Sequence, residues 1–380
     1  MGPRDLLQLS TPAALLEERR LDRNIARMQA HAAALGVQFR PHVKTSKCVA
    51  VATRQRAAGA HGIAVSTLKE AAQLHAAGFD DILYAVGLAT HRAAQALALQ
   101  RAGCQLTVVV DSLAAAEALV ATARAEDQSA RVMIELDVDG HRAGVLPDAP
   151  LLVQLGRFLH TSGVELRGVM THAGSSYDCR DTAALVRCAE AEQAGSVLGA
   201  QRLRDAGLPC PVVSVGSTPT ALAARELTGV TEVRAGVYVF FDLVMMGLGV
   251  CTADDLALSV LATVIGHQPE RGWIIIDAGW TAMSRDRGTP GVRPDPGYGL
   301  VCDVAGNVLE GWVLGTTNQE HGIVCRRDAH AGASIAEVFP LGARVRILPN
   351  HACATAAQHE TYHLVQDQRV IATWPRFGGW

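Results

Sequence analysis

From about residue 20 to about residue 240, short β-branched runs alternate with longer Ala/Leu-rich stretches, and this rhythm restricts the possible folds most. The runs are Gln38–Val43, Gly62–Val65, Asp81–Ala85, Leu106–Val110, Val132–Leu136, Leu166–Met170, Val212–Val215 and Thr231–Val233. The clearest helical stretches are Leu21–Ala34, Val51–Ala60, Thr67–Ala77, Ala89–Ala102, Ser112–Ala125 and Ala183–Ala206. Several runs are continuously apolar, as strands buried on both faces must be. Eight such repeats predict an α/β chain with a (β/α)8 TIM-type barrel, not an open doubly wound sheet. No GxGxxG follows the first run, which speaks against a dinucleotide-binding fold.

After about residue 245 the rhythm changes. Ala257–Ile265, Trp273–Asp277, Gly299–Asp303, Ile323–Cys325, Arg344–Leu348, Tyr362–Val365 and Val370–Thr373 read as strands with no helices between them. The expected division is a barrel over 17–245 and a mostly antiparallel β domain made of 1–16 plus 246–380, with residues 6–16 supplying its first strand.

Composition narrows the classes further. With 380 residues, 49% of them hydrophobic, the chain can build two cores. A net charge of −3 gives no electrostatic case for nucleic acid or anionic membrane. No apolar run reaches the ~20 residues of a membrane span, and the first residues lack the apolar core of a signal peptide. Nine cysteines without a CxxC read as thiols of a reducing compartment, so a cytoplasmic protein acting on a small molecule is expected.

In a barrel the reactive groups gather where strands end and βα-loops begin. Those positions hold His42 and Lys44, Tyr84, Asp137 to Arg142, Thr171 to Tyr177, Gly216 to Thr220, and Arg234 to Tyr238. One lysine able to form an imine, histidines, arginines and a Gly/Ser/Thr loop on one rim make a cradle for an anionic aromatic cofactor. Each member has a plainer reading. A strand-end lysine is usually solvated, and spacing alone does not choose Lys44 over Lys47. The Gly216-Ser217-Thr218 loop reads equally as a plain turn, His172 as a satisfied strand-end histidine, and Arg142 as a partner of Asp137 or Asp139. In the tail, His351 and Cys353 stand two residues apart, so on an extended segment both side chains point one way. The plainer reading is a buried cysteine beside a surface histidine. Two ligands cannot complete a closed structural site, so a metal there keeps positions for water or substrate. His359, His363, Glu320 and His321 are candidates to support the pair.

The segments PHVKTSK, DGHRAGV, THAGSSY, VGSTPT, VRAGVYVFFD, DAGW, NQEHG and PNHACAT occur in this order across nearly the whole chain. Together they resemble the D-serine dehydratase family, pyridoxal-phosphate enzymes with an alanine-racemase-like barrel and a β domain. The resemblance implies that Lys44 is the Schiff-base lysine and that Arg142 approaches the cofactor's phenolic oxygen. It implies that His172 packs beside the pyridine ring. Ser217, Thr218 and the backbone of Gly236 and Val237 would form the phosphate cup, closed by Tyr238. Arg234 would face the pyridine nitrogen and keep it unprotonated. His351 and Cys353 would hold a divalent metal, Zn2+ ahead of Mg2+ or Mn2+ because of the thiolate. The related aldolase branch resembles His-x-Asp at that place.

The reaction implied is loss of water and then ammonia from a D-β-hydroxy amino acid, D-threo-3-hydroxyaspartate giving oxaloacetate or D-serine giving pyruvate. Lys44 would act as the base and the metal would assist departure of the hydroxyl. Tyr177, Arg285 and Arg287 are candidates for a second substrate carboxylate. The competing expectations are a retro-aldol lyase, an amino-acid racemase and a non-catalytic pyridoxal-phosphate carrier. A homodimer is implied by the resemblance alone.

Overall fold

Eight parallel strands follow one another in a computed structural model that describes residues 4–288, 294–327 and 335–380. They are Gln38–Pro41, Ile63–Val65, Asp81–Gly87, Gln105–Val110, Arg131–Leu136, Glu165–Thr171, Val212–Val215 and Glu232–Ala235. Each pairs with its sequence neighbour, the eighth returns to the first through Arg234 opposite Arg40, and a single bridge, His42 to Ala64, joins first and second. The sheet thus curls into the expected TIM-type barrel. Ala64, Leu83, Ala85, Val109, Met133 and Met170 fill its interior. Small residues on the early strands leave room for methionines on the later ones, as a filled barrel requires.

Helices alternate with these strands because the loops carry start signals. Thr67, Ser112 and Asp181 each accept the backbone N–H three residues on, which opens the helices Leu68–Ala76, Leu113–Ala125 and Thr182–Asp205. A helix at Pro150–Thr161, led by proline in its first turn, was not among the clear sequence patterns.

The second sheet has ten strands among the described residues. Leu258–Gln268, Trp273–Ile276, Gly322–Arg326, Val308–Thr317, Gly299–Cys302 and Arg344–Pro349 pair in that order, and the last returns to the first, which closes a small barrel. Val260, Ile274, Ile276, Val301, Leu314, Val324 and Ile347 form its core. Ala13–Glu17 lies antiparallel to Leu258–Gln268 and parallel to Thr361–Gln366, which continues to Arg369–Pro375. The segment expected as one strand over 6–16 is thus broken: Arg4–Asp5 pairs antiparallel with Arg369–Pro375, Leu6–Gln8 is a 3-10 turn, and the longer strand runs over Ala13–Glu17. Two features depart from expectation. Val308–Thr317 was not foreseen, because Gly311 and Gly315 interrupt its pattern; Gly311 adopts φ +79°. Short helices also occur in this region, at Trp280–Met283, Ile335–Val338 and Ala352–Ala356.

The chain divides into two compact units, Met1–Ile25 with Val237–Gly378, and Ala26–Gly236 with Gly379–Trp380. Val237 and Tyr238 thereby group with the β unit. Met1–Pro3 of the expected leading segment lie outside the described residues. No helix among the described residues is long and apolar enough to cross a membrane.

Candidate active site

Because all eight barrel strands are parallel, the residues that follow their last positions share one rim. The first strand ends at Pro41, and His42 donates its backbone N–H to Ala235 at 2.8 Å, so Lys44 sits in the turn that follows. His42 is pulled well below its usual pKa, first by burial and then by the charges of Lys44 and Arg234, with His172 and Arg142 adding to them. His172 is lowered to about 3, by burial first, then by Lys44 and Arg142. Two buried imidazoles held neutral by the same three cations mark a strongly positive pocket, which suits a dianion. Lys47 is spoken for elsewhere: its Nζ lies 2.9 Å from the buried carboxylate of Glu70.

The ring of His172 has a defined tautomer. Its Nδ1 lies 2.9 Å from the carbonyl oxygen of Gly216, and a carbonyl only accepts, so Nδ1 carries the hydrogen and Nε2 keeps its lone pair. Tyr177 stands beside it, with ring centroids 6.5 Å apart. Arg234 is buried inside the barrel, where it donates to Ser214 Oγ and to the Thr171 carbonyl. Arg142 does not pair with Asp137 or Asp139. Its guanidinium lies 3.7 Å from Glu135, while Asp137 accepts from Gly140 and Asp139 from Ser175. Those two aspartates are consumed in folding their own loop, which frees Arg142 to reach the strand-end glutamate.

The hydroxyl loop is built as a capping box. Ser217 Oγ accepts from the Thr220 N–H at 3.3 Å, and Thr220 Oγ1 accepts from the Ser217 N–H at 3.1 Å. Ser176 reaches the same hydroxyl at 2.9 Å. Gly216 is required here: its φ is +132°, and a Cβ would stand 2.1 Å from the Arg234 carbonyl oxygen. Gly236 closes in on His42, whose carbonyl oxygen would lie 3.0 Å from an added Cβ. Ser217, Thr218, Gly236 and the two histidines are thus brought to one rim with Lys44, Arg142 and Arg234. Val237 and Tyr238, both buried, belong to the other compact unit.

In the β unit the pair His351 and Cys353 is not on an extended segment. Cys353 opens the short helix Ala352–Ala356, and His351 is its cap residue. Pro349 ends the preceding strand, and the alanine-rich ACATA run then winds. The two side chains still meet, by a hydrogen bond that helps hold the imidazole charged. Its pKa rises to about 11: burial opposes the rise, and Asp286, Cys353 and Asp242 overcome it. Asp286 Oδ2 lies 2.6 Å from His351 Nδ1, the carboxylate support that a metal-binding histidine commonly has. Three of the four groups expected in that role have other partners: Glu320 accepts from Thr281, His359 contacts the Ala282 carbonyl and His363 meets Thr373. Asp242 caps the helix Leu243–Gly247 and accepts from the Ala352 N–H at 2.9 Å, which fixes the turn carrying the pair. Among the described residues no group of three or more metal-type side chains occurs. Of the substrate candidates here, Arg287 is bound at 2.7 Å by Asp295, and Arg285 lies over the Trp280 ring.

Sequence reasoning missed Glu192, Glu135, Asp286 and Asp242. Glu192 had a signal: it falls in phase with Leu185, Ala189, Ser196, Gly199 and Leu203 on the buried stripe of Thr182–Asp205. Asp286 had none, since a loop carboxylate meets His351 only after folding.

Comparison with known proteins gives the family. Residues 16–244 match the family described as "Alanine racemase, N-terminal domain", and residues 257–365 match "Putative serine dehydratase domain". The D-threo-3-hydroxyaspartate dehydratase of Delftia sp. (strain HT23) is 61% identical over 376 residues, 99% of both chains. The D-serine dehydratase of Dictyostelium discoideum is 28% identical, over 97% of this chain and 96% of its own. A solved structure of a D-threo-3-hydroxyaspartate dehydratase C353A mutant in the metal-free form superposes with a TM-score of 0.97 at 61% identity, covering 99% of this chain and all of that one. The chain belongs to the alanine-racemase-like, pyridoxal-phosphate-dependent D-serine dehydratase family, within which it groups with D-threo-3-hydroxyaspartate dehydratase.

Proposed function

We propose that this chain is a dehydratase of D-β-hydroxy amino acids, converting D-threo-3-hydroxyaspartate to oxaloacetate and ammonia, with D-serine as a lesser substrate giving pyruvate. The observation that carries the reading is the neutral His42 and His172 pair beside Lys44, Arg142 and Arg234 on one barrel rim. Such a pocket fits the dianionic phosphate and phenolate of pyridoxal phosphate. When bound, that cofactor supplies the electron sink that acidifies the substrate Cα proton, and a divalent cation supplies Lewis acidity at the leaving hydroxyl.

The residues divide the work. Lys44, whose neighbour in sequence and rival Lys47 is held by Glu70, provides the amine that anchors the cofactor and afterwards accepts the Cα proton. His172 would pack beside the ring; its Nδ1 hydrogen is committed to Gly216, and its low pKa makes it a poor proton acceptor. Arg234, held by Ser214 and Thr171, would face the ring nitrogen and discourage protonation there. Arg142, braced by Glu135, would meet the phenolic oxygen. Ser217 and Thr218, with the backbone of Gly236 and Val237, receive the phosphate, and Tyr238 covers it.

His351 and Cys353 fit a cation with open positions. Asp286 occupies Nδ1 and leaves Nε2 for a metal, and a nitrogen with a thiolate favours Zn2+. The metal-free form of a C353A relative supports this assignment. With Arg287 held by Asp295, Arg285 is the better partner in the β unit for the second carboxylate of hydroxyaspartate; Tyr177, beside His172, is the barrel's own candidate. The barrel is the cofactor unit and the β unit the metal unit, and the protein acts as a cytoplasmic homodimer.

The test is a product assay on D-threo-3-hydroxyaspartate and D-serine, before and after prolonged chelation. Keto acid and ammonia in equal amounts, abolished by chelation and restored by Zn2+, is the expected result. Lys44→Ala should lose both turnover and the cofactor's visible absorbance, while Lys47→Ala keeps the absorbance. Glycine with glyoxylate as products would instead establish a retro-aldol lyase.

A further inference from the structure

The helix Thr182–Asp205 lies on the outside of the barrel, yet it sends one carboxylate inward. Glu192 is almost fully buried, on a stripe otherwise made of Leu185, Ala189, Ser196 and Leu203. A single oxygen, Oε1, accepts the Gly216 N–H at 2.8 Å and the Ala173 N–H at 3.1 Å. These two donors belong to different loops, one after the sixth strand and one after the seventh. The carboxylate also takes a hydrogen bond from the Thr220 side chain. Thr220 in turn is bonded to both the N–H and the hydroxyl of Ser217, so Glu192 grips the 216–220 loop at both ends.

The same Gly216 that gives its N–H to Glu192 gives its carbonyl to His172 Nδ1. Ala173, the other donor, directly follows His172. One buried carboxylate therefore sets the spacing between the ring-facing histidine and the hydroxyl loop. A buried anion is costly unless several donors satisfy it, and here the donors come from just those two loops. Burial raises the pKa of Glu192, and Thr220, Gly216, Ala173 and the charge of Arg234 oppose that rise.

We infer that Glu192 is a positioning residue that clamps the Gly216–Thr220 loop to the His172 loop and so sets the spacing between the loop that would seat the cofactor's phosphate and the histidine that would face its ring. Glu192 touches no reacting atom. It acts through Gly216 and Thr220, and its effect belongs to the phosphate end. The inference rests on the proposed seating of a phosphate at Ser217 and Thr218.

The experiment titrates cofactor-free full-length protein with pyridoxal 5'-phosphate and, separately, with pyridoxal, following the visible absorbance. The variants are Glu192→Leu, Glu192→Gln and Thr220→Val. Glu192→Leu removes the acceptor and should weaken pyridoxal 5'-phosphate roughly tenfold or more while leaving pyridoxal within about twofold. Glu192→Gln keeps an acceptor oxygen and should recover most of the loss. Thr220→Val cuts one end of the grip and should show the same phosphate-selective weakening, and it decides the matter alone should Glu192→Leu fail to fold. Equal weakening of both ligands, or of neither, overturns the clamp. A wild-type chain that binds pyridoxal as tightly as its phosphate ester overturns the phosphate seating itself, and the clamp with it.

Discussion

His172 shows how much one buried side chain is governed by its neighbours. Its folded pKa of about 3 lies far below the usual 6.5, from burial first and then from Lys44 and Arg142. Below pH 6.5 the unfolded chain takes up a proton at this position that the folded chain refuses. Its contribution to stability is therefore complete above pH 6.5 and is lost as the pH falls toward 3. At pH 5 the loss is about 2 kcal/mol. Urea unfolding of the cofactor-free chain at pH 7 and pH 5 should show a drop in stability that His172→Gln reduces by roughly this amount. An unchanged drop in the variant would mean that the imidazole is already charged in the fold. Within turnover, the same neutrality predicts no inflection from His172 in the rate profile.

At the scale of elements, the seventh and eighth barrel strands approach each other through Gly216. An added Cβ would lie 2.1 Å from the Arg234 carbonyl oxygen, and φ +132° is strained for any side chain. Gly216→Ala should cost about 3 kcal/mol or more in thermal melting and weaken cofactor retention, because the hydroxyl loop must move off its strand. A variant that melts and binds like the wild type would show that the loop tolerates the displacement. Much of this level was legible beforehand. Apolar runs with capped helices between them locate the strands, and the rim residues follow from where each run ends. The strand Val308–Thr317 was hidden because its two glycines imitate a break, and only its pairing with Gly299–Cys302 and Gly322–Arg326 holds it extended. His351 and Cys353 were identified as a pair, but their turn was not, since a two-residue spacing does not distinguish a strand from the entry to a helix. Asp286 was illegible because its role exists only in three dimensions. The distinct settings of Lys47 and Arg142 likewise depend on carboxylates, Glu70 and Glu135, that periodicity alone does not flag.

At the scale of the whole molecule, the barrel has two chemically distinct ends. Opposite the reactive rim, Arg40 is held by Glu232 at 2.9 Å and by Asp81 at 2.9 Å, and Glu232 also accepts from Ser214. Arg40 has its pKa raised, since Glu232 and Asp81 outweigh the penalty of burial. Arg40→Met strands two carboxylates and should lower stability by about 3–5 kcal/mol. Because the two carboxylates that hold Arg40 begin their strands, turnover per folded molecule should stay near that of the wild type. A fall in kcat without a fall in melting temperature would contradict a purely structural role for this end.

The placement of Ala13–Glu17 between Leu258–Gln268 and Thr361–Gln366 has a consequence for biosynthesis. This strand leaves the ribosome before the barrel, but both of its partners are translated after the barrel, and Thr361–Gln366 is among the last strands. The nascent chain can assemble the eight-stranded barrel from contiguous segments while its leading residues wait without a sheet to join. Synthesis stalled near residue 340 should therefore leave Ala13–Glu17 without its parallel neighbour and open to proteases that spare the finished protein.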